Sequence, residues 1–175
     1  NQLKSAIEYA MKASFTHEFI IEDYLEQKGF SSDADSFSVN NELQFISFSN
    51  QRFDGQAANP LTPSGFSWPS SMNEKSQTQL SCEIQRLIKL LNLGTSVYNI
   101  ETRECTDGNA YIMELSPRGG GNRLCEMLKY ATGTDLILNA VKAAIGIPVD
   151  NLPPCRYDGH WAEVILHSDQ DGVFE

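Results

Sequence analysis

Basic residues are scarce in this chain of 175: 13 Lys and Arg stand against 23 Asp and Glu, giving a formal charge of −10 and a pI near 4.7. That deficit excludes an electrostatic nucleic-acid surface and an anionic-membrane surface, both of which need basic stripes. It leaves room for a nucleotide, because a bound cation and a few local Arg or Lys outweigh the net field at one site. No apolar run approaches the roughly 20 residues of a membrane span, and the first residues lack a signal-peptide pattern. Cys82, Cys105, Cys125 and Cys155 are widely spaced, without Cys-x-x-Cys and without His at ligand spacing. Neither a zinc site nor a thioredoxin-like pair is encoded. His17, His160 and His167 lie far apart and supply no base or nucleophile partner. The expectation from these absences is a cytoplasmic protein with reduced thiols and neither a nucleic-acid nor a membrane partner.

What the chain does have is concentrated near its two-thirds point. Two β-like runs, Ser96 to Glu101 and Ala110 to Glu114, flank Thr106-Asp107-Gly108-Asn109. Asp-Gly between alternating apolar runs predicts a hairpin, because the tight turn needs residues that tolerate positive φ. The period of two places Val97, Asn99 and Glu101 on one face of the first strand, and Ile112 and Glu114 together on the second. Two carboxylates held side by side repel unless a cation lies between them, and a hard divalent ion is the natural occupant. Mg²⁺ leads, with Mn²⁺ as the alternative. The chain then runs into Leu115-Ser116-Pro117-Arg118-Gly119-Gly120-Gly121-Asn122. Arg118 offers a planar, permanently charged fork for phosphate or carboxylate oxygens, and three glycines let backbone N–H groups approach an anion. Singly, these are a flexible turn, a surface cation and solvated strand ends. Together they point to phosphoryl chemistry.

Ile112-Met113-Glu114-Leu115-Ser116-Pro117-Arg118 resembles the carboxylate-x-Asn-Pro-Arg segment of the ATP-grasp superfamily, in its carbamoyl phosphate synthetase large-subunit-like and amino-acid ligase-like members. Tyr98-Asn99-Ile100-Glu101 resembles the strand before it, and the likeness runs from residue 1 to about residue 175. The resemblance implies an ATP-dependent carboxylate ligase that forms an acyl-phosphate and passes the acyl group to an amine or similar nucleophile. Its cofactors would be ATP and Mg²⁺, its partners a small-molecule carboxylate and a nucleophile, and a homodimer is compatible with it. By the same resemblance Glu101 and Glu114 are metal ligands and Arg118 contacts the transferred phosphate. Ser116, where many relatives carry a metal-binding Asn, is a shorter and weaker oxygen donor. Glu22, Tyr24 and Leu25 would lie along the adenine edge, Asp35 would meet the ribose, and Gly119, Gly120 and Gly121 would cradle phosphates. Asn122 and Arg123 would position a second substrate, or else cap and solvate the next helix. The phosphate-holding lysine and flexible glycine-rich loop of such enzymes would precede residue 1, so the chain alone would be inactive. The other class of function that fits is a noncatalytic nucleotide- or metabolite-binding module with a degenerate ATP-grasp fold.

The expected fold is α+β, an antiparallel sheet packed with helices. Residues 1–146 are expected to be the C-terminal portion of an ATP-grasp domain, and 147–175 a connection and the start of a C-terminal subdomain. Leu3, Ile7, Ala10 and Met11 fall at helical spacing, and Phe19 to Leu25 reads as a largely buried strand. Asp33 and Asp35 begin like a calcium loop, but Ser38 and Gln44 stand where Gly and Glu are required. Ser36 to Val39 and Leu43 to Phe48 form a second hairpin about Asn40-Asn41. Residues 54–71, rich in Pro, Gly, Ser and Asn, read as a surface loop or lid. Ser71 to Glu74 fits a capping box, opening a helix that buries Leu80, Ile84, Leu87, Ile88 and Leu91 and stops at Gly94. Helices are expected over Asn122 to Tyr130 and Asp135 to Ile145, the latter with Leu136, Ile137, Val141 and Ile145 inward. The tail reads as a strand over Trp161 to Leu166 and a turn over Asp171 to Phe174.

Overall fold

A computed structural model describes residues 2–57, 59–168 and 171–173. Its elements in chain order are α1 (Gln2–Ala13), β1 (Gln27–Val39), β2 (Glu42–Ser47), β3 (Asn50–Phe53), β4 (Pro63–Trp68), α2 (Glu74–Leu90), β5 (Ser96–Cys105), β6 (Ala110–Ser116), α3 (Leu124–Thr132), α4 (Leu136–Ala144) and β7 (Trp161–Val164). The strands form one antiparallel sheet in the order β6-β5-β1-β3-β4-β7, with β2 also paired to β1. The architecture is the α+β one expected.

Both faces of the sheet are covered. On one face Leu80, Ile84 and Ile88 of α2 pack against Ala34, Tyr98 and Ile100. On the other, Leu124 and Leu128 of α3 and Leu136 of α4 pack against Phe37, Phe45, Phe66 and Trp68. Alternation along β1 and β5 therefore sends every second side chain into a different layer. The β1–β2 hairpin closes through Asn40 and Asn41 at φ 50° and 67°, the pair of left-handed residues that a two-residue turn between right-twisted strands demands.

The structure corrects several expectations. Phe19 to Leu25 is not a strand; it runs exposed ahead of β1, with Ile20 at 83% and Tyr24 at 87% of full exposure. Strand propensity is realised only against a partner, and β1 already has β5 on one side and β2 and β3 on the other. The stretch 54–71 is not wholly irregular, because Pro63–Trp68 pairs with both β3 and β7. Helix α2 is capped by Asn73, whose side chain accepts from the Ser76 N–H at 2.9 Å, rather than by a box begun at Ser71. The Ser71 hydroxyl is drawn instead to Asn50 Oδ1 at 2.9 Å. Leu91 lies beyond the helix and is exposed, while Gly94 does occupy the turn at φ 74°.

Helix α3 begins two residues later than expected, since Asn122 and Arg123 hold left-handed φ of 52° and 61° that no helix continues through. Helix α4 buries Leu136 and Asn139 and leaves Ile137, Val141 and Ile145 largely exposed. Its sequence is apolar nearly all round, so periodicity does not choose a face. Asn139 settles inward because its amide is satisfied there, donating to Asp135 O at 2.9 Å and accepting from the Asp150 N–H at 2.7 Å. Helix α1 forms as expected but buries no residue. In the tail the strand ends at Val164, and β7 belongs to the main sheet through β4. Residues 171–173 form no turn, and Phe174 of the expected turn lies outside the described residues.

Candidate functional site

The β5–β6 hairpin forms about residues 106–109, with Gly108 at φ 85° and the Cys105 N–H donating to Asn109 O at 2.9 Å. Glu101 and Glu114 are direct cross-strand partners. The route to that pairing differs from simple alternation. Thr102 opposes Ile112 and Glu101 opposes Glu114, so Met113 is an extra residue and the register shifts there. This β-bulge corrects the expected grouping of Ile112 with Glu114. Ile112 and Leu115 both pack into the α2 layer, and Glu114 crosses to the opposite face beside Glu101.

Antiparallel pairing of β5 with β1 extends the row. Asp33 opposes Glu101, and Asp35 opposes Asn99. On adjacent strands the order is thus Asp33, Glu101, Glu114, with Asp35, Asn99 and Ser116 as the neighbouring row. The Asn99 amide lies between the two aspartates, donating to Asp33 Oδ1 and, at 3.0 Å, to Asp35 Oδ1. The Ser116 hydroxyl donates to Glu114 Oε1 at 2.7 Å. Three acidic side chains in cross-strand succession repel one another in the absence of a cation. Among the described residues no three His, Cys, Asp or Glu side chains form a closed metal cage. A Mg²⁺ ion at Glu101 and Glu114 would take its remaining oxygens from water and phosphate, as that ion commonly does.

The electrostatic cost is visible in Asp33. Burial first, then the charges of Asp35 and Glu101, push its carboxyl up to about 7, against the pull of the Asn99 amide and Arg118. The same group in an unfolded chain titrates near 3.8. Between those values the folded protein keeps a proton that the unfolded chain has lost, so the stability present below about pH 4 is lost as pH rises through about 7. Asp33→Asn is therefore expected to flatten the decline of the metal-free protein's melting temperature between about pH 5 and about pH 8. Parallel pH profiles for wild type and variant would contradict the assignment.

Arg118 is exposed in the turn after β6, its guanidinium donating to Gly119 O at 3.0 Å. The glycines that follow are not three equivalent phosphate donors. Gly120 N–H is already engaged, donating to Asp35 Oδ1 at 2.9 Å. Asp35 itself is buried at 2% exposure, with Cys125 Sγ donating to its Oδ2 at 3.0 Å. Its carboxylate faces the glycine turn inside the protein, not an open rim where a ribose could lie. Glu22 and Tyr24 are exposed and Leu25 half-buried in the segment ahead of β1, where Leu25 O accepts from Arg103 Nη1 at 3.4 Å. The Arg103 that meets Leu25 stands two residues beyond Glu101 on β5. Asn122 and Arg123 close the glycine turn, and Arg123 pairs with Glu126. Beside them is a groove of about 330 Å³ lined by Arg123, Glu126, Met127, Tyr130, Glu163 and Val164.

In the sequence Asp33 stood out only as the start of a rejected calcium loop. Its place in the row depends on the β1–β5 register, and the only local sign was the period-two pair Asp33 and Asp35.

The sequence matches no family model and no curated protein. In three dimensions it is similar to the L-amino acid ligase from Bacillus licheniformis, with a TM-score of 0.67 at 16% identity over 87% of this chain and 38% of that one. It is similar to phosphoribosylglycinamide synthetase from Anaerococcus prevotii, with a TM-score of 0.62 at 22% identity over 82% of this chain and 36% of that one. The biotin carboxylase domain of Hydrogenobacter thermophilus 2-oxoglutarate carboxylase, solved as a dimer with MgADP and bicarbonate, gives 0.67 at 14% identity over 93% of this chain and 35% of that one. The chain thus spans little more than a third of the length of these structures, all of them from the ATP-grasp family. The arrangement of its strands and helices is theirs, and the chain carries part of the ATP-grasp fold.

Proposed function

We propose that this chain supplies the metal- and phosphate-binding lobe of an ATP-dependent carboxylate ligase. The observation that carries the reading is the direct pairing of Glu101 with Glu114 on one face, followed within four residues by Arg118. A ligase of this kind transfers the terminal phosphoryl group of ATP to a carboxylate and then lets a nucleophile displace phosphate. Negative charge gathers on oxygen in both steps, so Mg²⁺ at the two glutamates and the Arg118 guanidinium would stabilise it electrostatically. No side-chain nucleophile is needed, in keeping with three separated histidines. The similar structures include an L-amino acid ligase and a biotin carboxylase domain holding MgADP, which supports ATP with Mg²⁺ as the cofactor pair. The groove beside Arg123 is where an acceptor would lie next to the glycine turn. Asn122, at the end of that turn, would orient it. Glu22, Tyr24 and Leu25 would meet the adenine edge only as the exposed border of a cleft completed elsewhere.

The test is ADP release by the intact protein over pools of carboxylates paired with amines, with and without Mg²⁺. Metal-dependent ADP formation that requires both members of a pair supports the ligase. Nucleotide binding with no turnover on any pair would favour the noncatalytic module instead. Two details lean that way: Ser116 in place of a longer amide donor, and Gly120 N–H committed to Asp35.

A further inference from the structure

Asp35 has no part in the ligase reading as a substrate or metal ligand, yet the chain commits three groups to it. It sits on the face of β1 that looks toward α3, buried, with Asn99 Nδ2 and Gly120 N–H both donating to Oδ1 and the Cys125 thiol donating to Oδ2. These donors come from three separate pieces of chain: strand β5, the turn after β6, and the first turn of α3. A buried carboxylate is tolerated when its oxygens are satisfied in this way, and each bond to the charge is stronger than a neutral one. The shape around it is equally specific. A methyl group on Gly120 would stand 2.9 Å from Asp35 Oδ1 and 2.8 Å from Asn99 Nδ2, and one on Gly119 would stand 2.8 Å from Cys125 Sγ. Past the clamp, Asn122 and Arg123 are held at left-handed φ, a conformation that persists only where the surroundings enforce it.

We propose that Asp35 is a positioning residue: its buried carboxylate pins the Gly119–Gly120 backbone to the sheet, and so fixes Arg118 on one side of the turn and Asn122 on the other. The Asn99 amide ties the same carboxylate to Asp33, the residue opposite Glu101, so the turn and the acidic row are set against one another by a single chain of hydrogen bonds. The turn's N–H at Gly120 is thereby assigned to an anion of the protein's own and withdrawn from phosphate recognition. The consequence for rate rests on the ligase reading; the clamp itself does not.

Two readouts separate these parts. Hydrogen exchange in the intact protein should show residues 118–123 exchanging at least about tenfold faster in Asp35→Ala, with the α2 layer unchanged. Asp35→Asn, which keeps an oxygen acceptor for Gly120 and loses only the Cys125 contact, should stay within about threefold of wild type. In the ADP-release assay, Asp35→Ala should lower kcat by about tenfold or more and leave KM for ATP within about threefold, with Asp35→Asn restoring most of kcat. Unchanged exchange across the turn in Asp35→Ala overturns the clamp. If that variant does not fold, Asp35→Leu decides, because it keeps the volume and removes both acceptors, and unchanged exchange across its turn likewise overturns the clamp. Faster exchange with undiminished kcat overturns the positioning role and leaves a merely structural residue. If wild type forms no ADP on any substrate pair, the ligase reading fails, and the exchange result still judges the clamp.

Discussion

Glu114→Gln removes Mg²⁺-dependent ADP formation, lowering the rate by about 10²–10³-fold or more, the scale of losing one fixed charge-stabilising element in a phosphoryl-transfer site. The substitution is nearly isosteric and neutralises one of the two proposed metal ligands, Glu114, which directly opposes Glu101. Folding should hardly notice. Glu114 is exposed, and its oxygen's bond from Ser116 can be retained by an amide oxygen. Removing one charge from the row Asp33, Glu101, Glu114 also relieves repulsion in the metal-free protein. Metal-free stability is therefore expected to stay within about 0.5 kcal/mol of wild type, the range of ordinary surface changes. Parallel measurement of ADP release against Mg²⁺ and of thermal melting checks both halves. Turnover at the parent rate would show that the metal lies elsewhere.

Gly120→Ala should unfold the protein at a markedly lower temperature. An added methyl meets Leu124 Cδ1 at 2.6 Å, Asn99 Nδ2 at 2.8 Å and Asp35 Oδ1 at 2.9 Å. Each is the end of a side chain, but none is free to yield. Leu124 is packed at 2% exposure against the β1 face, and the other two are fixed by the bonds they share. Overpacking costs about 1–3 kcal/mol, and loss of the Gly120 bond to a buried carboxylate adds a further ~1–3 kcal/mol. For a chain of this size each kcal/mol is roughly 2–4 °C, so a fall of about 4–24 °C is expected. Gly121→Ala is the internal control, because nothing lies within 4 Å of its added methyl. A melting temperature for Gly120→Ala equal to that of Gly121→Ala would contradict the close approach of the turn to the sheet.

Local signals carried the elements that local physics decides. The Asp107-Gly108 and Asn40-Asn41 turns, the α2 stripe of Leu80, Ile84 and Ile88, and the sheet-and-helix class were all readable before any coordinates. The pairing of Glu101 with Glu114 was readable in outcome and not in detail. Strict alternation put Ile112 beside Glu114, and only the bulge at Met113 lets Ile112 stay in the core while Glu114 faces Glu101. Such a bulge has no marker in residue type here. Asp33 and Asp35 were visible as a pair but their roles were not: their partners lie more than sixty residues away, and no short-range pattern fixes which strand β1 chooses or in what register. Phe19 to Leu25 misled because apolar content reports a preference for cover without saying that a neighbour is there. Helix α4 misled because a helix apolar on every side has no face to read.

The most direct measurement is the position of Mn²⁺, used in place of Mg²⁺, located by its anomalous scattering in crystals of the intact protein grown with ADP. A peak bridging the carboxylates of Glu101 and Glu114, at roughly 2.0–2.3 Å from an oxygen of each, is the expected result. A peak bound away from both glutamates, or absent there while ADP is seated, would contradict it.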